Sequence, residues 1–459
     1  MAGIGFELRR IFGKKTLASS AWGVVYASMS TVGSSLVFII LLFVLRGLMS
    51  FFRVSELESL FFTFSFTYIF LIAILNSSFQ NAILSRYISD KIFSKKEEDI
   101  CASMFGMMAI SSAVVAVEVL VLCVFMYRHD NMPVYFLAAY YLLAILATNA
   151  YNMITYVSAL KEYKKVTAAY FVGIIVTIIM ICLLKYLTQL HIIVVVYWSL
   201  VVGFFLVNML LVYACVKAFG VSSNKYFEYL GYFKKYPKLI ISNFGYMLGF
   251  YVSNIIYWFF SDMSATVSIF STAPNYDLAM FMAILINLSG MVIFEVKTET
   301  TFYDKYISYL SALENGAYEN IERERVSLQN VINLQMFFVY EVQLIITIIT
   351  ICLVNIFHPY LGINSQTLNM FMLLGMAMYC VYSMYFTVIF LYYFSDHSFA
   401  CVGPIIFLGV VIVGCLICCK LGSPYYPIPM LVGGIVGWIV SFALLRYRIK
   451  NLTAYLMCR

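Results

Sequence analysis

From Cys101 to Met126 the chain reads CASMFGMMAISSAVVAVEVLVLCVFM, a run whose only charge is Glu118. A bilayer's hydrocarbon core takes about 20 apolar residues of helix to cross. Runs of this kind recur along the whole chain. In lipid every backbone N–H and C=O must find its partner within the protein, which leaves helices or a closed barrel. Barrel strands alternate apolar and polar side chains, and these runs do not alternate. The expected class is therefore an all-α polytopic membrane protein. Composition agrees. Of 459 residues, 63% are hydrophobic and 11% charged, with a mean hydropathy of +0.92. Soluble domains are roughly a quarter charged.

Twelve spans are expected, at 18–46, 59–80, 101–126, 133–160, 166–187, 191–215, 238–260, 275–295, 334–357, 367–394, 400–420 and 425–446. Pro133, Pro237, Pro274, Pro359 and Pro424 fall at span ends, where a missing N–H costs least. Loops kept in the cytoplasm carry an excess of Lys and Arg. With a cytoplasmic N-terminus, those segments hold all 29 basic residues except Arg46, Arg53, Arg128, Lys185 and Lys420. The net charge of +7 is thus a topology signal that calls for no nucleic acid. The expected location is the cytoplasmic (inner) membrane, multi-pass, with both termini cytoplasmic.

The opening residues carry Ile4, Leu8, Ile11 and Phe12 at i, i+4, i+7 and i+8, one stripe of a helix, with Arg9, Arg10, Lys14 and Lys15 around it. Residues 1–17 are expected to form a cytoplasmic amphipathic helix. An export signal fits less well, because the apolar run Ala21–Leu45 exceeds a signal's core of about 7–15 residues. The twelve spans divide at a basic connection, giving six-helix bundles at 18–215 and 238–459 joined by a linker at 216–237.

Polar residues inside the spans mark the expected substrate pathway. Ser30 and Ser34 continue a small-residue stripe in the first span, and Asn243 and Asn254 lie in the seventh, the lead span of the second half. Charges within spans are expensive and face a bundle interior or a wet path. Glu118 and Glu341 are such charges, each in the third span of its half. Ser111, seven residues before Glu118, is expected to share its face. Asn76 and Gln80, four apart, and Asn152 add polar groups. Tyr379, Tyr382 and Tyr385 sit well inside the tenth span, and a tyrosine offers a flat face and a hydroxyl suited to a sugar. The plainer alternatives are small-residue helix packing, a protonated buried acid and aromatic packing.

Residues 297–333 read as a cytoplasmic amphipathic hairpin broken at Gly316. Phe302, Tyr306, Tyr309 and Leu313 recur at helical spacing, a face for the membrane surface or a partner. With Ile4, Leu8, Arg9, Arg10 and Ile11 they form the expected docking set. The sequence has no phosphate-cradling glycine loop, no nucleophile elbow and only four histidines. Cys415 and Cys418 have a ligand-like spacing but lie mid-span without His or acidic neighbours. No catalytic residue, metal or cofactor is expected. The reading is a transporter, not an enzyme, driven by a gradient, the membrane potential or a partner.

The opening MAGIGFELRR, the twelve spans and the loop FEVKTETTFYDKYISYLSALENGAYENI together resemble the PelG family over essentially the full length. That resemblance implies an inner-membrane exporter of the Pel exopolysaccharide of biofilm-forming bacteria, in the multidrug/oligosaccharidyl-lipid/polysaccharide flippase superfamily. It implies two six-helix bundles in a V that opens alternately to either side. It also implies a synthase complex with a PelF-like glycosyltransferase, a PelD-like cyclic di-GMP receptor and a PelE-like scaffold, among membrane lipids. The polymer would be rich in N-acetylgalactosamine and become cationic after extracytoplasmic deacetylation. Other readings on the same fold are an ion-coupled antiporter of small cationic compounds and a lipid-linked oligosaccharide flippase; a non-transporting scaffold is a further one.

Overall fold

The computed structural model describes residues 33–160, 163–220 and 223–457. The expected helix over 1–17, with Ile4, Leu8, Arg9, Arg10 and Ile11, lies outside the described residues, as does Ser30.

Long helices follow one another: α1 (Gly33–Phe51), α2 (Glu56–Phe93), α3 (Glu97–Asp130), α4 (Val134–Ala159), α5 (Tyr163–Leu187) and α6 (Ile192–Phe219). A 3₁₀ turn at Glu228–Leu230 and the short α7 (Gly231–Lys235) lead into α8 (Pro237–Phe260). The strands β1 (Ala265–Val267) and β2 (Phe270–Thr272) form an antiparallel hairpin. Then come α9 (Pro274–Lys297), a π turn at Thr298–Phe302, α10 (Tyr303–Asn315), α11 (Tyr318–Leu361) and α12 (Ser365–Tyr393). The chain ends with α13 (His397–Ala400), α14 (Val402–Leu421), α15 (Ile428–Lys450) and α16 (Leu452–Met457). Among the described residues eleven helices are long and apolar enough to cross a membrane, and α1 covers the described end of the expected first span.

Several helices outrun the spans that hydropathy marks. The 38 residues of α2 and the 44 of α11 extend about 57 and 66 Å at 1.5 Å per residue, against a hydrocarbon core of about 30 Å. Beyond the apolar stretch α2 continues as an amphipathic helix that buries Ile83, Leu84, Tyr87 and Ile88. Apolar length thus sets the membrane segment, and packing sets where the helix ends. Local signals close the ends. A capping box of Ser55 and Glu58 opens α2, and Asn131, left-handed at φ 49°, closes α3. The expected break at Gly316 is present: the residue is extended at φ −95° and ψ 154°, and its missing side chain lets it sit there. A Cβ there would stand 2.4 Å from the Ala312 carbonyl oxygen.

The described residues form two compact units, one of 33–247 with 265–272, the other of 248–264 with 273–457. In the first, Phe62, Phe136, Tyr140 and Tyr197 pack ring to ring, and the Tyr197 hydroxyl hydrogen-bonds Ser65 at 2.6 Å. The hairpin inserts Phe270 beside Tyr68 and Phe61, with centroids at 5.0 and 6.0 Å. In the second unit small residues bring helices close. A Cβ on Gly403 of α14 would meet Ser441 Oγ of α15 at 1.9 Å, and one on Gly437 of α15 would meet Met384 Sδ of α12 at 2.5 Å.

Candidate transport pathway

In the first unit three polar residues of α3, Ser111, Ser112 and Glu118, meet asparagines of neighbouring helices. Asn76 of α2 donates to Glu118 Oε2 at 2.7 Å and to the Ile72 carbonyl at 3.1 Å. Asn152 of α4 donates to Ser111 Oγ at 3.0 Å, and Asn149 to Ser112 Oγ at 2.8 Å. Such bonds hold helices together where no water competes. Ser111 and Glu118, two turns apart on α3, differ in burial. They stand about 10 Å apart along the helix; Ser111 is buried and Glu118 exposed. Gln80 is buried with Oε1 unpartnered. Asn243, at the start of α8, donates to the Ser78 carbonyl at 2.6 Å. Ser34 lies on α1.

The second unit has a denser net. Gln343 of α11 accepts from Ser289 at 2.8 Å and donates to Asn287 Oδ1 at 3.1 Å and to the Ile286 carbonyl at 3.3 Å, all on α9. Gly290 makes room for it, because a Cβ there would fall 2.9 Å from Gln343 Oε1. Asn254 donates to Asp277 Oδ1 at 2.8 Å, and Trp258 Nε1 donates to both Asp277 oxygens at 2.9 and 3.0 Å. Asn254 keeps a buried, unpartnered Oδ1.

Glu341 behaves differently from all of these. It is exposed on α11 and has no hydrogen bond or ion pair among the described residues. Its neighbour Tyr340 turns inward and bonds Thr387 at 3.0 Å and Trp438 at 3.2 Å. Tyr379 is buried edge-on to Trp438 at 5.8 Å, and Tyr382 edge-on to Phe250 at 6.2 Å. Their rings are packing groups in this conformation. Tyr385 is half-buried beside Phe386.

The hairpin's apolar stripe also faces inward. Phe302 is fully buried against Phe390 and Tyr393, with centroids at 4.9 and 5.0 Å. Tyr306 donates to the Tyr393 carbonyl at 3.1 Å, and Tyr309, buried, bonds Thr453 of α16 at 3.1 Å. Leu313 is half-buried. The large apolar residues left outside on this hairpin, among the described residues, are Ile307, Tyr318 and Val326.

Sequence reasoning missed one charged cluster entirely. Lys91, near the end of α2, reaches Asp99 at 2.6 Å and Glu228 at 2.8 Å, and the Lys91 and Asp99 side chains are 8% and 3% exposed. Lys225 and Ser223 also bond Asp99, at 3.3 and 2.8 Å. Tyr232 of α7 donates to Asp90 at 3.2 Å. Burial, helped by Asp90, pushes the Tyr232 phenol up, which keeps it a donor. Gly106 of α3 completes the fit, since a Cβ there would lie 1.9 Å from the Tyr226 carbonyl oxygen. The connection expected at 216–237 is therefore clamped, over its described part, to α2 and α3. Lys91 and Glu228 are 137 residues apart, and no local pattern announces such a pair.

The long apolar helices define a multi-pass membrane protein. Its fold is similar to three solved structures. One is an outward-facing multidrug resistance MATE-family transporter of the MOP superfamily, with a TM-score of 0.65 and 11% identity over 94% of this chain and 96% of that one. Another is a MOP-superfamily transporter from Pyrococcus furiosus, at 0.63 and 13% over the same shares. A third is an inward-facing MATE-family transporter, at 0.57 and 12% over 87% and 92%. The chain belongs to the PelG family, whose model, described as “Putative exopolysaccharide Exporter (EPS-E)”, matches residues 1–456. No curated protein matches it.

Proposed function

We propose that this transporter carries a growing, Pel-like polysaccharide rich in N-acetylgalactosamine across the cytoplasmic membrane as a cytoplasmic glycosyltransferase extends it. The observation that carries the reading is the match to the exopolysaccharide exporter family along nearly the whole chain. An uncharged or weakly cationic amino-sugar polymer needs hydrogen-bond acceptors along its route and few fixed cations. The open carboxylate of Glu341 and the Asn76–Glu118 pair are of that kind. Both termini and the basic loops lie on the cytoplasmic side in this reading. PelF-, PelD- and PelE-like proteins are its proposed partners. With Phe302 and Tyr309 buried, a partner at the hairpin would meet Ile307, Tyr318 and Val326 instead.

Removal of the chain from cells that make the polymer provides the test. Extracellular N-acetylgalactosamine-rich material should disappear while glycosyltransferase activity persists in lysates. Undiminished secretion would sink the proposal. A second reading, ion-coupled efflux of small cations, draws on Asp277, an acid within a span held, among the described residues, by N–H donors alone. It predicts gradient-driven uptake of a fluorescent cation by proteoliposomes containing the chain alone.

A further inference from the structure

The clamped connection joins two membrane-crossing helices, α6 ending at Phe219 and α8 starting at Pro237. Both of its ends are therefore held near the bilayer surface. Its inner face is fixed: Tyr229 is fully buried, Tyr232 packs edge-on to Tyr87 at 5.2 Å, and Phe233 lies 5.7 Å from Phe79. Its outer face shows Phe227, 54% exposed, and Leu230, 39% exposed, followed by exposed Lys234 and Lys235. Residues 227, 230 and 234 follow the spacing of one helical face. Lys235 lies over the Tyr232 and Tyr236 rings at 5.7 and 5.3 Å, so its stem runs along aromatic surface.

Charge identifies the occupant. Residues 223–238 contain Lys225, Lys234, Lys235 and Lys238 but a single acid, Glu228. Both Glu228 oxygens contact Lys91, at 2.9 and 2.8 Å, and Lys225 is paired with Asp99 at 3.3 Å, so the outer face draws its positive charge from the exposed Lys234 and Lys235. Apolar side chains beside lysines, on a segment tethered at the interface, match an anionic leaflet, with acyl chains for the former and phosphates for the latter. We propose that residues 225–238 form an interfacial anchor that binds anionic phospholipid headgroups, and that the Lys91–Asp99–Glu228 cluster keeps this anchor pressed to α2 and α3. The proposal goes beyond the export reading and assumes no exported substrate.

Native mass spectrometry of the full chain, released from nanodiscs of phosphatidylglycerol and phosphatidylcholine, tests it. The unmodified chain should retain phosphatidylglycerol preferentially. Lys234→Gln with Lys235→Gln should lower that preference about thirtyfold, and raised salt should weaken it in the unmodified chain. Lys234→Arg with Lys235→Arg should preserve it, because charge is what the headgroup reads. Melting in a zwitterionic detergent should be unchanged in both variants, since these side chains are exposed. If the Gln variant keeps the full preference, the proposal is wrong. If it keeps the preference but no longer co-purifies a cytoplasmic protein, the face belongs to that protein and the lipid assignment is also overturned.

Discussion

Two charged regions of this protein obey opposite rules. At the junction of α2, α3 and the connection to α8, Lys91, Asp99 and Glu228 are bonded to one another, and Ser223 and Lys225 take up further acceptor sites on Asp99. In the middle of the apolar helices, Glu118 has one partner, Asn76, and Glu341 has none among the described residues. A desolvated charge costs several kcal/mol unless it is paired. The first region meets that requirement inside the protein. Glu341 has no such partner among the described residues, and water or cargo can supply one. Charge satisfied internally builds the fold, and in the proposed export reading charge left open serves transport.

The largest expected effect comes from breaking the closed region. Asp99→Ala removes the buried partner of Lys91 and the acceptor of Ser223 and Lys225, leaving Lys91 to Glu228, and should cost about 3 kcal/mol, seen as a marked fall in melting temperature in detergent. Gly106→Ala attacks the same contact from the other side. Its methyl would overlap the Tyr226 carbonyl, and the expected cost is about 1–3 kcal/mol. A smaller loss, about 1 kcal/mol, should follow Gln343→Leu, which removes a net of neutral hydrogen bonds between α9 and α11. Asn76→Ala should be smallest in stability, about 0.6 kcal/mol, yet it frees Glu118 and makes it resemble Glu341. If Asn76→Ala destabilises the protein as much as Asp99→Ala, the distinction between the two regions fails.

The span pattern was readable because lipid forces about 20 apolar residues into every crossing, and this holds residue by residue. The ends of α2 and α11 were not readable, because past the membrane the helix continues on amphipathic packing alone. Single polar positions such as Asn76, Asn152 and Glu341 were visible as exceptions to an apolar background. Their partners were not. Asn152 finds Ser111 at a separation of 41 residues and Gln343 finds Asn287 at 56, distances that only the folded chain closes. The stripe Phe302, Tyr306 and Tyr309 shows the converse error. Its helical spacing was correctly seen, but spacing cannot tell whether the covering surface comes from a partner or, as here, from α12 and α16 of the same chain.

Secretion by Glu341 variants tests the central claim most directly. Glu341→Gln keeps the shape and one carbonyl acceptor but cannot ionise; Glu341→Leu keeps neither acceptor. Extracellular polymer is measured at matched protein levels, with melting temperature as the control for folding. An open, unpartnered side chain should leave stability within about 0.5 kcal/mol in both variants. The account predicts that Glu341→Gln retains substantial secretion and that Glu341→Leu loses most of it. Normal secretion by Glu341→Leu would contradict the claim that this open acid serves the transported chain.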